Sequence, residues 1–180
     1  PHNPSDRLRF FWDRILADRT ILLPDQGETR LQFAYVDDVA AALRCVATHG
    51  PAAGRAYNVG WEEAITQRAL VTTLAEIAGR PVRAACVPRE RVFAAGGSPF
   101  DAPYYFGESL DISGVLGEFH LWTLRARQEL PIAYTPWSAA LEATYAWYEQ
   151  ERATETHLDT QFEDDLLAGA STMALVPHGD

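Results

Sequence analysis

Arg30-Leu-Gln-Phe-Ala-Tyr-Val-Asp-Asp-Val-Ala-Ala-Ala-Leu43, followed after a short loop by Tyr57-Asn-Val-Gly60, decides how the rest of the chain reads. Apolar residues alternate through Leu31, Phe33 and Tyr35, after which Val39, Leu43 and Val46 recur every three or four positions. The period changes from 2 to 3.6, which predicts a strand running into a helix. Asp37 or Asp38 stands where an N-cap carboxylate could accept free backbone N–H groups and meet the positive end of the helix dipole. Tyr57 to Val59, short, apolar and ended by Gly60, predicts a buried strand, and Thr66 opens another helix. The order strand, helix, strand, helix makes the chain α/β.

Working outward, Pro4-Ser5-Asp6 opens a helix with Leu8, Phe11, Trp12, Ile15 and Leu16 on one face. Ile21 to Leu23 is a short strand, and the turn Pro24-Asp25-Gln26-Gly27 leads to Leu31, suggesting a small hairpin. Downstream, the helix from Thr66 carries Leu70, Leu74 and Ile77 in one stripe and ends at Gly79. Val82 to Val87 is a strand closed by Pro88, and Arg89 to Ala95 makes one or two helical turns before Gly96-Gly97-Ser98-Pro99. Residues 96 to 118 form a long aromatic loop with Tyr104, Tyr105 and Phe106, either a pocket wall or a loop packed on the core. Thr123 caps a short helix through Leu130. Pro136 then starts a strong one with Trp137, Leu141, Thr144, Tyr145 and Tyr148 on one side. The expected organisation is a folded unit over 1–152 and an acidic, mobile tail over 153–180, in which Phe162 to Leu167 could dock as one helical turn.

Composition removes several kinds of chemistry. All 15 basic residues are Arg and none is Lys, which excludes Schiff-base catalysis and a phosphate-loop Lys within this chain. Cys45 and Cys86 lie apart in apolar segments, so core thiols are expected rather than a disulfide or a metal site. The net charge is −10, concentrated after residue 141, which makes nonspecific nucleic-acid binding unfavourable unless Arg residues gather on one face. No apolar run approaches the roughly 18 residues of a membrane span, and no secretory signal is present. A cytoplasmic protein is expected. Gly96-Gly97 lacks the spacing of a dinucleotide fingerprint.

Phe33-Ala-Tyr-Val-Asp-Asp-Val-Ala40, Ala56-Tyr-Asn-Val-Gly60 and the opening Pro1-His-Asn-Pro4 resemble the C-terminal half of an extended short-chain dehydrogenase/reductase, the NAD(P)-dependent epimerase/dehydratase family. The resemblance covers roughly residues 1–150. It implies the last strands and helices of a Rossmann-like α/β fold plus a small substrate-binding lobe. It also implies NAD or NADP in the complete protein, a sugar-like or nucleotide-sugar substrate, and room for a homodimer. The Gly-rich loop and the Tyr-x-x-x-Lys pair of that family are missing here. The expectation is therefore a chain that holds no catalytic residue, binds no cofactor tightly by itself and shapes the substrate pocket. The start at Pro1, with Met173 the only Met, adds the expectation of a C-terminal fragment or trimmed domain.

The resemblance places His2 and Asn3 near the nicotinamide and substrate. Many relatives carry a diphosphate-binding Arg two residues before the aromatic at Phe33. Leu31 stands there, and Arg30 is one residue off, on the opposite face of a strand. Gln32, Tyr35 and the late Phe162-Glu-Asp-Asp-Leu-Leu167 look more like an atypical branch that includes chloroplast stem-loop-binding proteins. This gives the alternative of an RNA-binding or scaffold protein on the same fold. Arg7, Arg30 and Arg125 are candidate anion forks, and His120 is a candidate acid/base or pocket residue beside Trp122. Tyr104 and Tyr105 could stack on a base or sugar, and each of these residues also has an ordinary packing or surface role available. Asp37 and Asp38, being consecutive, diverge on a helix or strand and fit capping better than a metal site.

Overall fold

The computed structural model describes residues 7–48, 50–96, 108–110, 116–118, 120–151 and 158–176. Its centre is a three-stranded sheet in the order β1 (Ile21–Pro24), β4 (Val82–Val87), β7 (Thr172–Leu175). β1 runs parallel to β4, pairing Ile21 with Ala84 and Pro24 with Val87, while β7 is antiparallel to β4. A parallel pair needs a long crossover. Here it carries β2 (Arg30–Leu31), α2 (Val36–Thr48), a 3-10 turn at Gly50–Ala52, β3 (Ile65–Thr66) and α3 (Gln67–Ile77). β5 (Glu108–Leu110) and β6 (Leu116–Glu118) form a separate antiparallel pair.

The run Ile21-Leu-Leu-Pro24 is buried at every position, as a strand covered on both faces should be. On one side Ile21 and Leu23 join Phe11, Trp12 and Ile15 of α1 (Arg7–Leu16), Leu70 and Leu74 of α3, and Leu141, Tyr145 and Tyr148 of α6 (Trp137–Glu151). On the other, Leu22 and Val87 meet Val92 of α4 (Arg89–Ala94) and Leu166 of α7 (Gln161–Leu167). The Trp12 indole N–H donates to the Leu74 carbonyl at 3.3 Å, tying α1 to α3 inside the core. A smaller cluster of Ala42, Ala52, Ala126 and Leu130 seats α2 against α5 (Leu124–Glu129).

Local signals hold where they are self-contained. Thr66 caps α3, its hydroxyl accepting the Ala69 N–H at 3.1 Å, and Gly79 follows at φ +62°. β4, α4 and α6 fall where the pattern put them. Other expectations are corrected. Ile21–Leu23 and Leu31 make no hairpin: β1 pairs with β4, and β2 pairs antiparallel with β3, Leu31 opposite Ile65. Tyr57–Val59 forms no strand; Tyr57 and Val59 pack instead on the α2–α5 cluster. Helix α2 begins one residue early because the Tyr35 carbonyl already accepts the Val39 N–H at 3.1 Å. Asp37 and Asp38 therefore lie within its first turn rather than at the cap. Thr123 precedes α5 but its hydroxyl makes no capping bond. The segment expected to be a mobile tail supplies α7 and β7 over 161–175. It is fastened by the buried ion pair of Arg14 with Glu163 and by an exposed one of Arg19 with Asp164.

Candidate functional site

Between β2 and α2 the chain keeps the alternation that its sequence shows. Leu31 is 1% exposed in the core and Phe33 packs against Trp61 at 5.2 Å between ring centroids, the two rings tilted by 56°. Arg30 and Gln32, on the other side, line a surface groove of about 400 Å³ with Glu62, Glu63, His120 and Trp122. The buried Leu31 and the exposed Arg30 thus point opposite ways, as alternation along a strand requires.

Gln32 builds this groove. Its amide Nε2 donates to the Trp61 carbonyl at 2.7 Å and the Leu121 carbonyl at 3.1 Å, and its Oε1 accepts the Leu121 N–H at 2.7 Å. Both amide donors are spent, so Gln32 positions the wall and leaves no donor for a ligand. Asn58 donates from Nδ2 to the Trp122 carbonyl at 3.2 Å. With the backbone of 121–122 held at these points, the Trp122 indole stands 74% exposed at the rim. The groove is thus lined by a guanidinium, an imidazole, two carboxylates and an aromatic face. Arg127 lies 3.7 Å from the Glu62 carboxylate and donates to the Gly60 carbonyl at 3.3 Å, bracing the floor.

Tyr35 lies away from the groove and lines an aromatic cavity of about 150 Å³ between α1 and α6. Burial, a hydrogen bond to Asp37 and the charges of Asp37 and Asp38 raise its phenol above the ordinary value of 10.0, so it stays protonated at neutral pH. Asp38, 5% exposed, accepts from the Thr135 N–H at 3.0 Å and the Thr135 hydroxyl at 2.7 Å, pinning the loop before α6. Arg125 is also outside the groove. Its charge joins Arg55 beside Glu129, which accepts from Tyr57 at 2.9 Å and Arg55 at 2.7 Å. Those two hydrogen bonds, reinforced by the charges of Arg55 and Arg125, hold the Glu129 carboxyl below its ordinary value of 4.5.

The structure thus gathers Arg30, Gln32 and His120, and separates Tyr35 and Arg125 from them. His2, Asn3, Tyr104 and Tyr105 lie outside the described residues, as does the side chain of Arg7, the first residue of α1. Glu62 and Glu63 were not legible as groove residues. Their only signal is adjacency to Gly60, where an added Cβ would meet the Phe33 carbonyl oxygen at 3.1 Å. Among the described residues no group of His, Cys, Asp and Glu could hold a metal ion, and no helix is long and apolar enough to cross a membrane.

Residues 1–60 match the model of the NAD dependent epimerase/dehydratase family. That third of the chain supplies α1, β1, β2 and α2, and with them Arg30 and Gln32 of the groove. No curated protein and no solved structure gives a match. The mixed α/β architecture with a small sheet of parallel and antiparallel pairs fits an epimerase/dehydratase of Rossmann-like design. The epimerase/dehydratase family depends on NAD(P), but the residues here do not fit that dinucleotide. No Gly-rich turn joins a described strand to a helix, and the first turn of α2 carries Asp37 and Asp38, which repel a pyrophosphate.

Proposed function

We propose that this chain is the substrate-binding, C-terminal portion of an NAD(P)-dependent epimerase, dehydratase or reductase acting on a sugar-like molecule. The observation that carries this reading is the groove. Two of its residues, Arg30 and Gln32, come from the family-matched segment, and His120 with exposed Trp122 closes it from a point about ninety residues downstream. An exposed indole beside charged hydrogen-bonding groups supports recognition of a hydroxylated ring, apolar on its face and polar at its edge. Leu31, buried where relatives place an anion-binding Arg, favours a substrate whose recognition does not centre on a diphosphate.

In this reading the dinucleotide and the acid/base Tyr with its Lys belong to the complete protein. The chain of residues 1–180 binds substrate and transfers no hydride. Purified chain supplied with NAD or NADP and a panel of sugars and nucleotide sugars is expected to give no change in nicotinamide absorbance. Turnover would overturn the assignment. The net charge of −10 disfavours the alternative of an RNA-binding scaffold, and Arg9, Arg19, Arg55, Arg68, Arg83, Arg89 and Arg127 each lie within ion-pair distance of a carboxylate.

A further inference from the structure

Helix α2 is apolar on two sides. Its inner side sends Ala42 and Cys45 into the cluster shared with α5. On its outer side Val36, Ala40, Leu43 and Ala47 recur at helical spacing as an exposed stripe, Val36 at 50% and Leu43 at 69% exposure. Along one edge of the stripe, Val39 and Val46 continue the apolar surface into a trough of about 400 Å³ that Tyr57, Val59 and Leu130 complete. The other edge carries Asp37 and Arg44, and Arg44 pairs with no carboxylate among the described residues. A contiguous apolar face rimmed by charge in this way marks a protein contact.

The stripe is complementary to itself. Two copies of α2 packed antiparallel about a two-fold axis, in the register that sets Leu43 on the partner's Ala40, also set Val36 on the partner's Ala47. Each large side chain then faces a small one, and the helix axes can approach to about 8 Å. The same two-fold brings like edges together. Arg44 comes within one helical turn of the partner's Asp37, while Val39 and Val46 meet their own counterparts. A parallel pairing would instead set the charged edge of one copy against the apolar edge of the other. Asp37 is hydrogen-bonded to Tyr35, and its carboxylate keeps acceptor capacity for a guanidinium.

We propose that this chain forms a symmetric dimer through the outer face of α2, each copy covering the other's stripe in antiparallel register. None of the residues lining the groove of Arg30 and His120 lies in α2, so the dimer and the substrate reading stand or fall separately.

Sedimentation velocity of the chain of residues 1–180 tests it, in about 0.15 M salt, where long-range repulsion between the two acidic copies is screened. At about 50 μM the parent should run chiefly at twice its mass of 20.0 kDa, with a Kd of about 10 μM or tighter. Leu43→Arg, at an exposed position, should keep the parent's circular dichroism and raise that Kd about tenfold or more. Arg44→Glu should weaken the dimer about threefold or more, and Asp37→Arg added to Arg44→Glu should recover most of the loss, because the two charges have only exchanged places across the two-fold. Should Leu43→Arg fail to fold, the charge exchange decides. A parent that sediments at 20.0 kDa at that concentration, a dimer left intact by folded Leu43→Arg, or a double variant that associates no better than Arg44→Glu would each overturn the proposal.

Discussion

Replacing Glu163 by Ala removes one half of the ion pair that docks α7 onto α1. The Arg14 and Glu163 side chains are only 9% and 7% exposed, so the variant leaves a guanidinium buried without its counter-charge. Breaking a buried pair in this way costs about 3–5 kcal/mol, because desolvation is no longer offset. Arg14 keeps two carbonyl acceptors, Phe10 at 3.3 Å and Asp159 at 3.1 Å, and sits 3.4 Å above the Phe10 ring. Those contacts bring the expected loss to about 2–4 kcal/mol. Glu163→Gln, which retains an acceptor oxygen, should lose about half as much. The double variant Arg14→Met, Glu163→Leu removes both charges and should fall within about 1 kcal/mol of the parent. Urea unfolding followed by circular dichroism, with midpoints and slopes compared, measures all three. A Glu163→Ala loss below about 1 kcal/mol, or a double variant as unstable as the single one, would refute the assignment of α7 docking to this pair.

Three further outcomes are expected. Gln32→Leu should free the backbone at Leu121, raising hydrogen exchange of its amide by tenfold or more and costing about 1–3 kcal/mol, and unchanged protection would contradict the role given to that amide. Thr66→Ala should cost about 1 kcal/mol through loss of the α3 cap, and a thermal midpoint equal to the parent's would show that the cap contributes nothing. At Asp25 burial pushes the carboxyl up, but the hydrogen bonds and charge of Arg89 together hold it below the ordinary 3.8. A carboxyl depressed in the folded state stabilises that state above the unfolded pKa, and the contribution is lost as pH falls through the folded value. On acidification from about pH 5, the parent should lose stability more steeply than Asp25→Asn, whereas parallel curves would remove Asp25 from the account.

What the sequence disclosed depended on how far each interaction reaches. Thr66 with Gly79, the run Val82–Val87 ended by Pro88, and the stripe from Leu141 to Tyr148 carry their signals within one element, and each element stands where it was expected. The turn Pro24-Asp25-Gln26-Gly27 misled because it is also a local signal, whereas the partner of β1 is β4, sixty residues on. The unbroken apolar run Ile21 to Pro24 was the better clue, since a strand paired in parallel and covered on both faces has no polar side. The acid-rich end looked mobile because net charge says nothing of a single partner. Glu163 meets Arg14 across nearly the whole chain, and Phe162 and Leu166 pack beside it. At the groove, Arg30 and His120 were legible as residue types, but Gln32 reads as a ligand-binding amide until its bonds to Trp61 and Leu121 are seen.

In the function proposed above, the groove of Arg30, His120 and Trp122 binds a sugar-like substrate. Calorimetric titration of the chain with glucose and with UDP-glucose tests it most directly, alongside Arg30→Ala, His120→Ala, Trp122→Ala and, as a residue outside the groove, Arg125→Ala. Saturable binding of at least one ligand is expected, weakened about tenfold or more by Trp122→Ala and measurably by the first two substitutions, with Arg125→Ala unchanged. Absence of saturable binding, or binding that none of the groove substitutions alters, would contradict it.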